Sequence, residues 1–439
     1  MNKPFPPLFL KRIQEENPDL YNFFDRYVER EPYKGLRINP QKSLPSSFLT
    51  SFHQVPWCSL GFYTEEKLGA HPFHQAGMFY IQEPSAMAVV ELMNIQPDDI
   101  VLDCSAAPGG KSTHIAGYLG YGGFLWSHDV DRYRAQQLVF NLERMGFFRG
   151  IVSTGSLDQL QTQKERFTKI LVDAPCSGEG MFIKDEGAIQ QWSEGLVEHC
   201  AFLQEDILDK VVNLLKPGGE LTYSTCTFSK QENELQIIRF LDRHPEFELI
   251  KDEFLSNFNQ FVTNNVGAKI LPHQHQGEGH YLVKLRKKGT LHRESIDVKL
   301  NEPPREWTQF QKKFGITLAS NPSFQRVGNH LYATYHAFKL NGNTPLRDGL
   351  CLGEIKSFGF VPDHALSHAN AIQLPRIDLA LSSPFLSAFL RGESFSIDKP
   401  DGWWVVSVHH QGLGWVKVVN GVAKNHFPKG LRLHYVYPA

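Results

Sequence analysis

The stretch ILVDAPCSGEGMF, residues 170–182, constrains this chain more than any other. Apolar and β-branched residues run into Asp173, and Pro175, Gly178 and Gly180 then break the run. That order predicts a buried parallel strand that stops in a rigid loop. In open α/β sheets ligands bind beyond the carboxyl ends of the strands, so chemistry is expected in this loop. It holds a carboxylate, Asp173, and a thiol, Cys176, three residues apart. Pro175 fixes φ beside the thiol, and the glycines let backbone approach a ligand. One cysteine in a strand-end turn is most often a packing residue. A second strand end of the same character, YSTCT at 223–227 with Cys226, argues for more than packing.

Similar strands recur on either side. DIVLDCSAAPGGKSTHIAGYL begins as a strand at 100–102 that Asp103 ends, and the turn 107–110 leads into a helix. Backbone N–H groups at such a helix start suit a carboxylate or phosphate. The string GGKST is not a phosphate loop, because that template needs glycine where this chain has Ser105. FLWSHDVD is a second strand, ending in Asp129 and Asp131. An acid about 20 residues beyond a Gly-rich turn is placed to bind ribose hydroxyls. An amphipathic helix over 134–144 follows, and IVSTGSL is a third strand. A long helix after the fourth strand is expected to stop at Lys216-Pro217-Gly218-Gly219. ELTYSTCT is the fifth strand, and a hairpin closes the unit near Lys288. The alternation predicts a mostly parallel sheet with helices on both faces.

The flanks carry weaker signals. The start reads as helical, then extended through LRINPQKS, where Arg37, Asn39 and Lys42 alternate with apolar residues as on a solvated edge strand. Ser85 is placed to cap the helix that follows. Residues 294–375 hold no chemical constellation, and His330 and His336 read as packing or surface groups. The tail alternates apolar and polar residues between glycines, as in a small β-barrel or sandwich. There Lys424, Lys429 and Arg432 lie among Trp415, Phe427 and Tyr435. Interleaved basic and aromatic groups suit a nucleic-acid strand, and a solvated β surface is the alternative. At 439 residues the chain has room for about two to four domains. The net charge of −2 leaves nucleic-acid binding to local basic patches. The six cysteines, which include Cys58, Cys104, Cys200 and Cys351, form no CxxC pair. A disulfide framework and a metal site are therefore not expected, and free thiols in a reducing cytoplasm are. The N-terminal apolar run is too short for a signal peptide, and no run approaches the roughly 20 residues of a membrane span.

Two thiols beside a nucleoside site narrow the chemistry. A dehydrogenase would want GxGxxG and a thioredoxin-type pair CxxC, and neither is present. A methyltransferase acting on carbon fits. C5 of cytosine is a poor nucleophile until a thiolate adds to C6, which makes an enamine able to attack the methyl of S-adenosylmethionine. Asp173 would hydrogen-bond a protonated N3 and the 4-amino group.

DCSAAPGGKST, DAPCSGEG and YSTCTFSKQENE resemble, in order and spacing, motifs of the RNA cytosine-5 methyltransferases of the Nop/Sun family. Arg37-Ile38-Asn39, GMFYIQE at 77–83, Pro272-His273 and Gly277-Glu278-Gly279-His280 also match its pattern. LRDGLCLGEIK and GWVKVVNGVAKNHFPKGLRL resemble a bacterial branch that acts on small-subunit ribosomal RNA and carries a PUA-like RNA-binding domain. The resemblance implies an α/β fold, a Rossmann-like S-adenosylmethionine-dependent methyltransferase sheet over 89–290. An N-terminal RNA-binding region over 1–88, an intermediate domain over 291–375 and a PUA-like β domain over 376–439 would surround it. It implies Cys226 as nucleophile, Cys176 assisting product release, and Asp173 touching cofactor and base. Ala107, Pro108, Gly109, Gly110 and Lys111 would wrap the methionine end of the cofactor, Asp129 would take the ribose, and Cys104 and Arg134 join the cofactor-binding set. The family's adenine-binding acid falls by count on Leu157, with Asp158 one residue later. The implied partner is ribosomal RNA or the small ribosomal subunit, with no membrane, for a monomer in the cytoplasm. Three rivals stay open: Cys176 as nucleophile, a tRNA substrate, and a non-catalytic RNA-binding assembly factor.

Overall fold

The computed structural model describes residues 5–27, 31–258, 265–296, 298–318, 321–338, 340, 345–370 and 372–434. The helices Pro7–Glu16 and Pro18–Asp25 come first, each with proline in its first turn, where a missing N–H costs nothing. Asn17 caps the second, its side chain accepting from the Leu20 N–H at 3.1 Å. Their inner faces bury Phe9 and Phe24 against Phe182 and Trp192, just beyond the Cys176 loop.

Next comes an antiparallel sheet of β1 (Gly35–Ile38), β2 (His53–Gln54), β3 (Gly61–Tyr63) and β4 (Phe79–Ile81), in the order β2-β3-β1-β4. β1 is a central strand, so the expectation of a solvated edge fails. Arg37, Asn39 and Lys42 are all buried. Arg37 Nη2 donates to Gly110 O at 3.1 Å and Thr113 Oγ1 at 2.8 Å. Asn39 Nδ2 donates to Gly77 O and Met145 O, and Lys42 Nζ to Ala76 O and Arg144 O. An alternating polar residue needs a partner, and the pattern alone does not say whether it is water or a buried carbonyl. The Ser85 cap is also corrected. Glu83 caps the helix Pro84–Met93, accepting from the Ser85 and Ala86 N–H groups at 3.0 and 2.8 Å. Pro84 takes the first helical position and moves the start forward.

β5 (Ile100–Asp103), β6 (Phe124–Asp129), β7 (Gly150–Thr154), β8 (Phe167–Asp173) and β9 (Leu215–Thr225) pair in parallel, in the order β7-β6-β5-β8-β9. β10 (Phe247–Leu249) and β11 (Ala268–Ile270) pair with β12 (His280–Lys287), which lies antiparallel to β9 and forms the expected closing edge. The chain runs outward from β5 to β7 and returns to β8 on the other side of β5. The topological switch therefore lies between β5 and β8, where a doubly wound sheet binds its ligand. The long helix, Glu194–Val211, ends before Lys216. The Lys-Pro-Gly-Gly run belongs to the entry of β9, where the register against β8 shifts and Gly218 has φ +76°.

Beyond β12, β13 (Ser323–Val327), β14 (His330–Thr334), β16 (Leu350–Lys356) and β17 (Gly359–Pro362) form a separate sheet, while β15 (Arg347–Asp348) pairs with β7 and extends the central one. His336 is buried 2.7 Å from Asp348, and His330 lies near the surface beside Glu354. The last sheet has the order β18 (Arg376–Asp378), β20 (Gly402–Val408), β21 (Gln411–Val419), β22 (Val422–Asn425), β19 (Phe395–Ser396). Its core is continuous with that of β1–β4: Leu36, Met78 and Phe79 cluster with Phe389, Val406 and Val416. Among the described residues no helix is long and apolar enough to cross a membrane.

Candidate active site

The loops after β5, β8 and β9 meet at the carboxyl edge of the sheet. With residues from the β4 end and the start of β12, they line a cavity of about 310 Å³. Asp173, the last residue of β8, stands opposite Ser224 of β9 in parallel register. Its Oδ1 accepts from Ser224 Oγ at 2.7 Å and its Oδ2 from Lys111 Nζ at 2.7 Å. Burial pushes this carboxyl up, but the Lys111 charge and the hydrogen bonds from Lys111 and Ser224 outweigh burial and leave it below its ordinary value. Burial likewise opposes the Lys111 ammonium, and Asp173 reverses that, so Lys111 ends raised. The ion pair therefore persists at neutral pH.

The same register sends the β8 and β9 loops out of the sheet side by side. Cys176 Sγ and Cys226 Sγ stand 3.3 Å apart. The Gly180 N–H donates to Cys226 O at 2.8 Å, and a Cβ added at Gly180 would meet that oxygen at 2.9 Å and Gly279 O at 3.0 Å. Gly180 is thus needed for one loop to pass another. Glu232 fixes the other side, accepting from the Ser177 N–H at 2.9 Å and Ser177 Oγ at 2.5 Å. Cys226 lines the cavity, whereas Cys176 is not among its lining residues. The hydrogen bond to Cys226, then burial, push the Cys176 thiol well above its ordinary value, so it keeps its proton.

Of the residues expected around the cofactor, Ala107, Pro108, Gly110, Lys111 and Asp173 line the cavity. Asp129 and Arg134 brace the loop behind them: Asp129 Oδ2 accepts from the Ala107 N–H at 3.0 Å, and Arg134 Nη2 donates to Ala107 O at 2.8 Å. Gly109, with φ +111°, turns the chain into the helix Gly110–Tyr118. Cys104 packs in the core beneath the sheet, and Leu157 does the same. Asp158 is exposed, 2.5 Å from Ser156 Oγ and 3.2 Å from Lys210.

Two groups stand out that motif spacing did not single out. Asp103 ends β5, and its Oδ2 accepts from Ser112 Oγ at 2.7 Å, but its Oδ1 is buried with no hydrogen-bond partner. Burial, only partly opposed by Ser112, pushes this carboxyl to about 7. A donor-starved carboxyl here, across from the free N–H groups of a helix start, fits a ligand carrying an ammonium, a sulfonium and a carboxylate, as S-adenosylmethionine does. The second is His280, which lines the cavity. The sequence marks Asp103 as a strand end and His280 as part of a motif; neither signal reveals what partners the side chains lack.

In the tail, Lys424 and Lys429 are exposed, Arg432 is half-buried, and Tyr435 lies outside the described residues. Trp415 and Phe427 are buried, so they cannot stack on bases, as their spacing had indicated. Residues 412–416 of β21 are all buried, with Trp415 in one core and Val416 in another, so both faces of this strand are covered.

The comparisons with known proteins agree with this geometry. Residues 90–286 match the family model of the 16S rRNA methyltransferase RsmB/F. Residues 5–84 match the N-terminal domain of 16S rRNA methyltransferase RsmF, and 376–433 the methyltransferase RsmF PUA domain. The ribosomal RNA small subunit methyltransferase F of Vibrio vulnificus is 33% identical over 330 residues, covering 69% of this chain and 68% of that protein. The same enzyme of Erwinia tasmaniensis is 28% identical over 468 residues, covering 97% and 96%. Among solved structures, a methyltransferase homolog protein from Pyrococcus horikoshii has 28% identity and a TM-score of 0.52, covering 64% of this chain and 99% of that one. NSun6 from Pyrococcus horikoshii, solved with SFG, shares the fold at 19% identity and a TM-score of 0.58, covering 66% and 100%. The chain belongs to the 16S rRNA methyltransferase RsmB/F family, and is an RNA methyltransferase that uses S-adenosylmethionine.

Proposed function

We propose that the protein methylates C5 of a cytosine in 16S ribosomal RNA through a covalent adduct between Cys226 and C6. The observation that carries this reading is the pair of thiols 3.3 Å apart beside a cavity that also holds the Lys111–Asp173 pair. Packing alone gives no reason to place two cysteines on neighbouring strand ends next to an ionised carboxylate.

Cys226 adds to C6 as the thiolate, and the electrons of the C5–C6 bond move toward C5. Asp173, held ionised, accepts hydrogen bonds from the protonated N3 and one N–H of the 4-amino group, stabilising charge in the ring. S-adenosylmethionine supplies an electrophilic methyl group. Release then requires that C5 give its proton to water, that the C–H electron pair form the C5–C6 double bond again, and that the sulfur–C6 electron pair return to Cys226. Cys176, which keeps its proton, points an S–H at the departing sulfur and stabilises it. Asp103 would take the ammonium group of the cofactor, and the helix start at Gly110 its carboxylate. Asp129 and Arg134 would act through the Ala107 loop they brace, and Asp129 keeps lone pairs for the ribose. The PUA domain and the region 1–88 would bind the RNA.

The test is a pair of variants incubated with target RNA and cofactor, then run on one denaturing gel. Cys226→Ala is expected to be inactive with no adduct, and Cys176→Ala to accumulate a protein–RNA adduct. The reverse result would make Cys176 the nucleophile.

A further inference from the structure

We propose that His280 reads the 4-amino group of the target base and thereby selects cytosine over uracil. This rests on the cytosine-5 reading above and adds a residue to it.

The position comes from strand register. Tyr281 of β12 pairs with Thr225 of β9, so the next positions along the antiparallel pair, His280 and Cys226, are neighbours. Both line the same cavity, with Lys111 and Asp173. A base whose C6 is within reach of Cys226 therefore lies against His280.

The hydrogen bonds fix which nitrogen carries the proton. Ser85 has one hydroxyl proton, and it goes to the Glu83 carboxylate, Oγ to Oε2 at 2.5 Å. Ser85 Oγ is then an acceptor for its other neighbours, the Gly279 N–H at 3.2 Å and His280 Nδ1 at 3.0 Å. Nδ1 is thus the protonated nitrogen and Nε2 the one with the lone pair. Among the described residues Ser85 is the ring's only side-chain hydrogen-bond partner, and it is met through Nδ1. Burial, and after it the Lys111 charge, lower the ring to about 4, so it stays neutral in the working pH range. A neutral ring with its proton on Nδ1 offers an acceptor, Nε2, in the wall of the cavity that His280 shares with Cys226.

Such an acceptor adds a second contact at position 4 to the one that Asp173 makes. A carboxylate facing N3 accepts from the N3–H of neutral uracil as well as from protonated cytosine. The two bases differ at position 4, where cytosine has an amino group with two N–H donors and uracil has an acceptor oxygen. Both Asp173 oxygens already accept one hydrogen bond, from Lys111 and Ser224. With one amino N–H going to Asp173, the second is free for His280 Nε2. Uracil would set O4 against that lone pair, leaving two buried acceptors facing each other.

The experiment uses the full-length protein with two target RNAs that differ only by cytosine or uracil at the mapped position. Methyl transfer from labelled S-adenosylmethionine is followed to 5-methylcytidine or 5-methyluridine. The variants are His280→Phe, which fills the space without an acceptor, and His280→Gln, whose amide can turn either end inward. Cofactor affinity and melting temperature report whether each variant is folded. Both variants are expected to lower the cytosine-to-uracil ratio of kcat/KM by about tenfold or more. His280→Gln is expected to keep more activity than His280→Phe and to accept uracil. An unchanged ratio in folded variants, whatever the loss of rate, overturns the selection role. Absence of 5-methylcytidine from the wild-type reaction overturns the cytosine-5 reading itself, and this one with it.

Discussion

At the residue scale, one lysine decides how the site titrates. Lys111 is the opposite charge that offsets the burial of Asp173. Lys111→Met should leave the Ser224 hydrogen bond as the main opposition to burial and raise the Asp173 carboxyl. The acid limb of kcat/KM, measured at saturating cofactor, should then move up by about 1–3 pH units. An unmoved limb would mean that Asp173 does not need to be ionised. The sign for stability follows from the same shift. A carboxyl held below its unfolded value, about 3.9, stabilises the fold above that pH, and the gain is lost as pH falls through the lower folded value. Asp103 is the converse case. At about 7 in the folded chain it opposes folding above its unfolded value, where burial resists its charge. If the cofactor's ammonium group meets Oδ1, Asp103→Asn should weaken S-adenosylmethionine binding by about 1–3 kcal/mol in titration calorimetry, while raising stability near pH 8. Unaltered affinity would move the ammonium contact elsewhere. The sequence could flag both acids as strand ends, because strand ends are local; their opposite shifts depend on which cation lies near.

Among the elements, the helix Pro84–Met93 is the joint between the N-terminal sheet and the active site. Glu83 caps it, and the same carboxylate accepts from the Glu278 N–H at 2.9 Å and from Ser85 Oγ, which holds His280. Glu83→Ala removes the cap and leaves a buried N–H beside the cavity. The expected loss in urea unfolding is about 2–3 kcal/mol. A loss below about 0.5 kcal/mol would mean that water replaces the carboxylate. Capping was legible as a boundary but assigned to the wrong residue, because Pro84 takes the first helical position and leaves the cap to Glu83 before it. The Lys-Pro-Gly-Gly run misled in a similar way. Those residues end helices, but they also serve an irregular strand entry, and the pairing partner β8 selected the strand.

For the whole molecule, the cores cross the boundaries drawn from sequence. We keep 1–88, 89–290, 291–375 and 376–439 as a proposed division of roles, not as units that fold apart. β15 completes the central sheet from the third segment, and the last segment shares a core with β1–β4. Deleting 376–439 should therefore expose Leu36, Met78 and Phe79 and lower the melting temperature of the remainder, as calorimetry would show. A remainder that melts as the full chain does would contradict the shared core. Charge substitutions probe RNA binding more cleanly than truncation. Lys424→Gln with Lys429→Gln, both exposed, should lower the slope of log K against log salt by about 1–2. An unchanged slope would place the phosphate contacts on another face.

The sequence by itself determined the five parallel strands, their acidic ends, the two strand-end thiols and the Gly-rich turn into a helix. All of these rest on apolar runs and breakers within about ten residues, and such signals survive without knowledge of neighbours. Tertiary structure alone decided which partners those residues meet. The parallel register of Asp173 with Ser224 put Cys176 and Cys226 in contact, the pairing of Tyr281 with Thr225 brought His280 beside them, and burial turned Arg37, Asn39 and Lys42 from a solvated face into ties between the N-terminal region and the helix at Gly110 and residues 144 and 145. The physical reason is that a polar side chain carries its hydrogen-bonding capacity in its identity, while its partner, and hence its charge state, belongs to residues far away in the chain.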